Sequence, residues 1–176
     1  MNDFQKKLKE IPQNAQAYLT SMKGVDLDVA ICEKYGIENE KIKDFADLVS
    51  QLFFNELELK ELISQIKFLF SFADKKARDI AIDIAGIRLL IIKDWLKEDV
   101  EKYIKNLGGN SIEFYKYIEE QKKAIKEEEE FFKKELEQTK PFAMTIKHKD
   151  IPKRNLNIKQ ERDDSIEMLA MILLIY

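Results

Sequence analysis

Glycine, proline and cysteine are scarce in this chain of 176 residues. Its five glycines and three prolines make up a much smaller share of the chain than the roughly 12% that these two types contribute to an average protein. β-Hairpins use such residues at their turns, so an all-β fold is disfavoured, as are α/β folds with glycine-rich phosphate loops. Because Cys32 is the only cysteine, neither an intramolecular disulfide nor a multi-cysteine zinc site can be built. This cysteine usage points to a reducing compartment.

A strong net charge and a long apolar run are also missing. Acidic residues number 33 and basic residues 30, which gives a net charge of −3 and no overall field that would draw the chain to nucleic acid or anionic lipid. The N-terminal residues lack the apolar stretch of a secretory signal, and no segment approaches the roughly 20 apolar residues needed to span a bilayer. We therefore expect a cytoplasmic protein without a transmembrane segment.

Apolar residues, by contrast, are abundant and recur at helical spacing. Leu, Ile, Val and Phe make up nearly a third of the chain, enough for a sizeable core. Their spacing divides residues 1–109 into about seven short helices, separated by residues that stop helices. These stop signals are Pro12, Gly24, Gly36 and the Gly108–Gly109 pair. The sequence predicts an all-α fold that begins with a small multi-helix orthogonal domain.

Three aspartates precede apolar stripes and are typical of helix N-caps: Asp26, Asp74 and Asp94. An N-cap side chain accepts hydrogen bonds from the free N–H groups of the first turn. The stripe that follows Asp74 is apolar on two sides as far as Ile91, so we expect this helix at the centre of the domain.

After residue 109 the composition becomes strongly charged. Asn110 and Glu113 resemble a capping box, which predicts a long charged helix over residues 110–139. Apolar residues recur every seven positions along it, at Ile118, Ile125 and Phe132. The intervening seam positions are polar, so two interpretations stay open: an exposed helix docked along a thin apolar stripe, or a self-pairing coiled coil.

Residues 140–162 are rich in lysine and arginine, and Pro141 lies near their start, just after the predicted helix end, so we expect a basic linker there. Residues 163–176 are predicted to form a short apolar C-terminal helix. Three interpretations stay open for such a helix: it docks on its own domain, it forms an interface with another protein or copy, or it makes a shallow membrane contact or belongs to a longer, truncated segment. The residues expected to contact a partner are Ile118, Ile125 and Phe132 on the long charged helix and Met168, Leu169, Ile172 and Leu173 on the C-terminal helix.

Residues 28–47 resemble a helix-turn-helix, with Cys32 four positions before Gly36 at the turn. The inward positions of this motif are apolar: Ile31, Tyr35, Ile37, Ile42 and Phe45. The resemblance implies that the early residues of the second helix would face DNA. Those residues are Glu38, Asn39, Glu40, Lys43 and Asp44. Three of the five are acidic and would repel phosphates, so an ordinary glycine-turned corner is favoured.

The basic linker is the better candidate for nucleic acid. Its contact residues would be Lys147, His148, Lys149, Lys153 and Arg154. Stacking on single strands needs several aromatic residues, and a solvated linker is the favoured interpretation.

Residues able to carry chemistry are few. Asp79 and Asp83 lie four positions apart on one predicted helix, but nearby basic residues favour ion pairing over a cation site. Cys32 lies on an apolar face, where a buried free thiol is common. We therefore predict no catalytic residues, no metal and no cofactor. The leading hypothesis is a non-enzymatic protein-binding or scaffold protein that contacts a protein partner or a second copy of itself.

Overall fold

The computed structural model describes residues 3–143, with side chains as far as residue 135. Its helices are α1 (Asp3–Glu10), α2 (Gln13–Thr20), α3 (Met22–Lys34), α4 (Ile42–Phe53), α5 (Leu59–Phe70), α6 (Asp74–Asp83), α7 (Val100–Asn106) and α8 (Tyr115–Ala143). No strand occurs within residues 3–143, and the all-α prediction is confirmed. In the same range, no helix is both long enough and apolar enough to cross a membrane.

The break between α2 and α3 lies earlier than the sequence predicts. The Ser21 hydroxyl accepts a hydrogen bond from the Gly24 N–H at 3.0 Å and caps α3. Gly24 and Asp26 therefore lie inside one helix, and the predicted stop and start at these positions are wrong. Gly24 serves packing instead, because a Cβ there would lie 2.7 Å from the Tyr18 carbonyl oxygen.

Two other predicted caps are shifted. Ala73 is the N-cap of α6, and Asp74 is the first residue of the helix, where a negative charge still interacts favourably with the helix dipole. The predicted cap at Asp94 is wrong. Asp99 caps α7 instead, since its Oδ1 accepts a hydrogen bond from the Lys102 N–H at 2.9 Å.

The stretch expected at the centre of the domain is buried, but it is not one continuous α-helix. Beyond the end of α6 the chain forms a π-helical segment over Ile84–Leu89 and a 3-10 turn over Leu90–Ile92. All six residues of the π-helical segment are buried. A Cβ at Gly86 would lie 2.3 Å from the ring of Phe114, so this glycine allows the segment that leads into α8 to approach closely. π-Helical turns are rare and often occur where packing or function imposes a special geometry.

The start of α8 belongs to the same compact unit, which spans Met1–Phe132. Phe114, Ile118 and Gln121 are all buried in it, whereas the sequence prediction ends the first domain at residue 109. The helix also continues to Ala143, past the predicted end at residue 139 and through Pro141. The predicted apolar helix over residues 163–176 and the linker from residue 144 to 162 lie outside the described residues.

Candidate functional site

A charged side chain, Arg88, is fully buried at the centre of the compact unit. Its Nε lies 2.8 Å from Oδ1 of Asp28, as an ion pair without the alignment of a hydrogen bond. One Nη of Arg88 donates to Oε1 of Gln121 at 3.2 Å, and both Nη atoms approach the Tyr18 carbonyl oxygen at 3.4 Å. The guanidinium also lies 5.5 Å from the centre of the Phe53 ring. The π-helical segment is thereby joined to α2, α3, α4 and α8.

Gln121 fixes α8 in this arrangement. Its amide oxygen accepts from Arg88, and its Nε2 donates to the carbonyl oxygens of Ile87 at 2.9 Å and Tyr117 at 3.2 Å. A buried polar group that loses its partner costs about 1–3 kcal/mol. A shift of α8 along its axis would separate these groups, so the network specifies where α8 lies.

The ionisation of Asp28 is affected by the same burial. Removal from water raises the pKa of its carboxyl to about 6, although the neighbouring Arg88 charge acts in the opposite direction. Burial likewise lowers the pKa of Arg88, with Asp28 opposing the shift. The cost of removing the two charged groups from water is therefore larger than the gain from their mutual attraction, as is expected for a buried ion pair.

Because α8 is held beside the start of α3, the two helices form an open groove, which we name the α3–α8 groove. From α3 it is lined by Met22, Lys23 and Asp26. From α8 it is lined by Ala124, Glu127, Glu128, Phe131 and Phe132. Every lining residue lies within the compact unit Met1–Phe132.

Large apolar side chains in this groove are exposed. Met22 is 59%, Phe131 58% and Phe132 59% accessible to solvent, and Val25 beside them on α3 is 49% accessible. The two phenylalanine rings contact each other edge to face, with their centres 5.9 Å apart. Single exposed apolar residues are ordinary, but a contiguous patch of them marks an interaction surface.

The charges that border the groove are mainly acidic. Lys23 lies 3.9 Å from Glu120, and Glu127 lies 3.8 Å from Lys123, so each of these groove residues is already paired. Within the described residues, Asp26 and Glu128 have no ion pair. The groove therefore offers an apolar floor and, at its border, two carboxylates that have no ion pair among the residues with described side chains.

The predicted contact residues of the long helix have different environments. Ile118 is only 7% exposed and packs in the core, so its assignment to a partner surface is corrected: the start of α8 docks on its own domain. Ile125 is half-buried, and Phe132 lies in the groove. The predicted partner residues Met168, Leu169, Ile172 and Leu173 lie outside the described residues. Met22 and Phe131 were not among the residues predicted to contact a partner, although two adjacent phenylalanines followed by charged sequence were a usable signal.

The corner at residues 28–47 forms as predicted, with Gly36 at φ +60° in its turn and Ile31, Ile37 and Phe45 buried. The residues that the resemblance would direct toward DNA are all exposed: Glu38, Asn39, Glu40, Lys43 and Asp44. Their acidic charges border the corner without a described partner to neutralise them. The residues of the alternative nucleic-acid site, Lys147, His148, Lys149, Lys153 and Arg154, lie outside the described residues.

The two aspartates weighed as cation ligands are engaged in ion pairs, as predicted. Asp79 lies 3.1 Å from Lys75, and Asp83 lies 2.6 Å from Lys34 and accepts a hydrogen bond from the Tyr35 hydroxyl at 2.9 Å. Among the described residues, no group of three or more His, Cys, Asp or Glu side chains is placed to hold a metal ion.

Cys32 is a buried free thiol, as its apolar position predicts. Burial, with smaller contributions from the charges of Asp28 and Glu33, raises the pKa of the thiol to about 12. A nucleophilic cysteine needs the opposite environment, one that favours the thiolate.

A second cleft lies between α1, the end of α4 and the residues around Trp95. Several of its polar groups already have partners within the chain. Lys7 lies 2.8 Å from Glu56, the Lys97 N–H donates to Oδ1 of Asn55 at 3.1 Å, and the Trp95 indole donates to a backbone carbonyl at 2.9 Å. This cleft therefore offers few unsatisfied groups to a ligand, and the α3–α8 groove is the stronger candidate site.

Comparison with known proteins gives no further assignment. A scan against protein-family models, a search of curated proteins and a search of solved structures each found no match to this chain.

Proposed function

We propose that this chain is a non-enzymatic protein-binding protein and that the α3–α8 groove is its contact surface. The observation that carries the proposal is the exposure of Met22, Phe131 and Phe132 side by side. Aromatic residues and methionine are enriched at protein interfaces, and a few well-packed residues of an interface provide most of its binding energy.

The buried network supports the proposal because it gives this surface a fixed frame. Arg88 and Gln121 hold α8 beside α3, so the groove exists before a partner arrives. A preformed surface loses little conformational freedom on binding. Covering the exposed part of each phenylalanine ring would contribute on the order of 1–3 kcal/mol.

The apolar residues 168–176 are a second proposed contact, on the sequence pattern alone. We also place the protein in the cytoplasm as part of this proposal, since a single thiol without a disulfide partner suits a reducing compartment. The partner is proposed to be another protein, with self-association as the alternative within the same class.

The proposal is tested by affinity capture with three forms of the full chain: the natural sequence, Phe131→Ala/Phe132→Ala, and Phe68→Ala. Phe68 is 81% exposed on α5 and does not line the groove, so it serves as a matched control for loss of an exposed aromatic ring. We expect the double variant to lose its captured proteins by at least tenfold, while the control retains them. Equal recovery by all three forms would contradict the proposal.

Nucleic-acid binding is the alternative that the acidic corner at residues 28–47 argues against. A mobility-shift assay at low salt separates the two proposals, because phosphate contacts are strongest there. We expect no shift with DNA or RNA. A shift that weakens steeply with added salt would favour the alternative.

A further inference from the structure

We propose that the occupant of the α3–α8 groove is a basic amphipathic helix of a partner protein. This inference rests on the proposed protein-binding function and names the chemistry of the partner. Its apolar stripe would cover Met22, Phe131 and Phe132, and its lysines or arginines would lie beside Asp26 and Glu128.

The shape of the groove fits a helix. Its walls are two helices, and from Ala124 to Phe132 the α8 wall rises about 12 Å, or two helical turns. Side chains of a third helix can pack between the ridges of two others. An occupant that presents apolar residues at positions i, i+3 or i+4, and i+7 would match this length.

The charges determine which helix is accepted. Lys23 and Lys123 are engaged by acidic residues of α8, at 3.9 Å and 3.8 Å. Asp26 and Glu128 have no ion pair within the described part of the chain. A cationic partner would supply counterions to both carboxylates, whereas an acidic partner would add like charge to a surface that already has a negative excess.

The same charges argue against two other occupants. A second copy of the chain that docked through the same face would bring two acidic borders together, because a symmetric interface uses the same surface patch of both copies. An anionic membrane surface attracts lysine and arginine and would be repelled by this border. Both the apolar floor and the acidic border of the groove contribute to binding when the occupant is a basic amphipathic helix.

The test uses the full chain and two designed helical peptides of about 14 residues, roughly four turns. Both carry the same leucine stripe, and their charged positions are all lysine in one and all glutamate in the other. Binding is measured by isothermal titration calorimetry. We expect the lysine peptide to bind at least tenfold more tightly than the glutamate peptide.

Variants of the chain locate the binding site. Phe131→Ala/Phe132→Ala should weaken binding of the lysine peptide at least tenfold, and Phe68→Ala should leave it unchanged. Asp26→Lys/Glu128→Lys should also weaken it about tenfold. Glu38→Lys/Glu40→Lys alters the net charge equally at exposed positions outside the groove, so it should have much the smaller effect. Circular dichroism confirms that each variant keeps its fold.

Several outcomes would overturn the inference. Equal affinity for the two peptides would refute the role of charge. Equal loss of affinity for the lysine peptide in Asp26→Lys/Glu128→Lys and in Glu38→Lys/Glu40→Lys would refute the location of the binding site in the groove. Tighter binding to anionic than to neutral phosphatidylcholine vesicles would favour a membrane, and loss of a dimer in the phenylalanine variant would favour a second copy. If neither peptide binds while affinity capture still depends on Phe131 and Phe132, the basic helix is wrong but the protein-binding function stands.

Discussion

Replacement of Arg88 by methionine should destabilise the fold far more than removal of an exposed arginine. Arg88 is fully buried, and its Nε lies 2.8 Å from the carboxylate of Asp28. Methionine keeps an unbranched apolar chain but has no N–H donor, so Asp28 would be a buried carboxylate without a cation. Breaking a buried ion pair in this way costs about 3–5 kcal/mol.

This loss is large against the roughly 5–15 kcal/mol that stabilises a typical domain. For a protein of this size it corresponds to a decrease in Tm of about 6–20 °C. The free energy of unfolding is measured by urea titration followed by circular dichroism. Arg78→Met is the matched control, because Arg78 is exposed on α6, and it should change stability by less than about 0.5 kcal/mol.

A second substitution tests whether the unpaired charge is the cause. In Arg88→Met/Asp28→Asn the buried carboxylate is gone, so the double variant should be more stable than Arg88→Met alone. Acidification should also narrow the difference between Arg88→Met and the natural chain, because a protonated Asp28 has no charge to bury. A loss below about 1 kcal/mol for Arg88→Met, or a double variant that is no more stable, would refute the reasoning.

Three further predictions follow from the same contacts. Gly24→Ala should lower the free energy of unfolding by about 1–3 kcal/mol, although alanine normally favours a helix, because the new Cβ would lie 2.7 Å from the Tyr18 carbonyl oxygen and 2.8 Å from an Arg88 nitrogen. Unchanged or higher stability in urea titration would contradict this prediction. The Asp28 carboxyl should titrate near pH 6 by NMR. Since this pKa is above its value in the unfolded chain, the group should add stability as the pH falls through 6 toward 4; a measured pKa below the ordinary value of 3.8 would contradict this. Cys32 should react with a thiol reagent only in denaturant, because burial raises its pKa to about 12; labelling at equal rates in native and denatured protein would refute it.

The helical class was predictable because it depends on local patterns. Apolar residues at a spacing near 3.6 predict amphipathic helices wherever they occur, and Gly36 in its left-handed turn fits the local rule for glycine. The central position of the stretch after Asp74 was predictable for the same reason, since a stripe with apolar residues on two sides must be covered from two sides.

The sequence predictions that were wrong concern regions where residues contact others that are distant in sequence. Gly24 fits a helix stop by local rules, yet its lack of a side chain accommodates Arg88. Asp94 and Asp99 are both acceptable caps locally. The structure uses Asp99, and the indole of Trp95, just after Asp94, donates to the distant Phe53 carbonyl oxygen. Gln121 is a polar residue between the apolar positions of the repeat, so local rules predict that it is exposed. It is buried in the structure because Arg88 supplies a hydrogen-bond partner.

The candidate site was only half predictable, because it combines two helices. The seven-residue repeat identified Phe132 on α8, but the groove also requires Met22 on α3. No local pattern relates these positions, which are brought together by the buried network of Arg88 and Gln121. The same network explains why Ile118, a member of the repeat, is in the core instead of the groove.

Site-specific photo-crosslinking tests the protein-binding groove most directly. A photoreactive amino acid is placed at position 132 of the full chain, or at position 68 as the control, and the protein is irradiated in intact cells. We expect a discrete crosslinked protein adduct from position 132 and none from position 68. No adduct from position 132, or the same adducts from both positions, would contradict it.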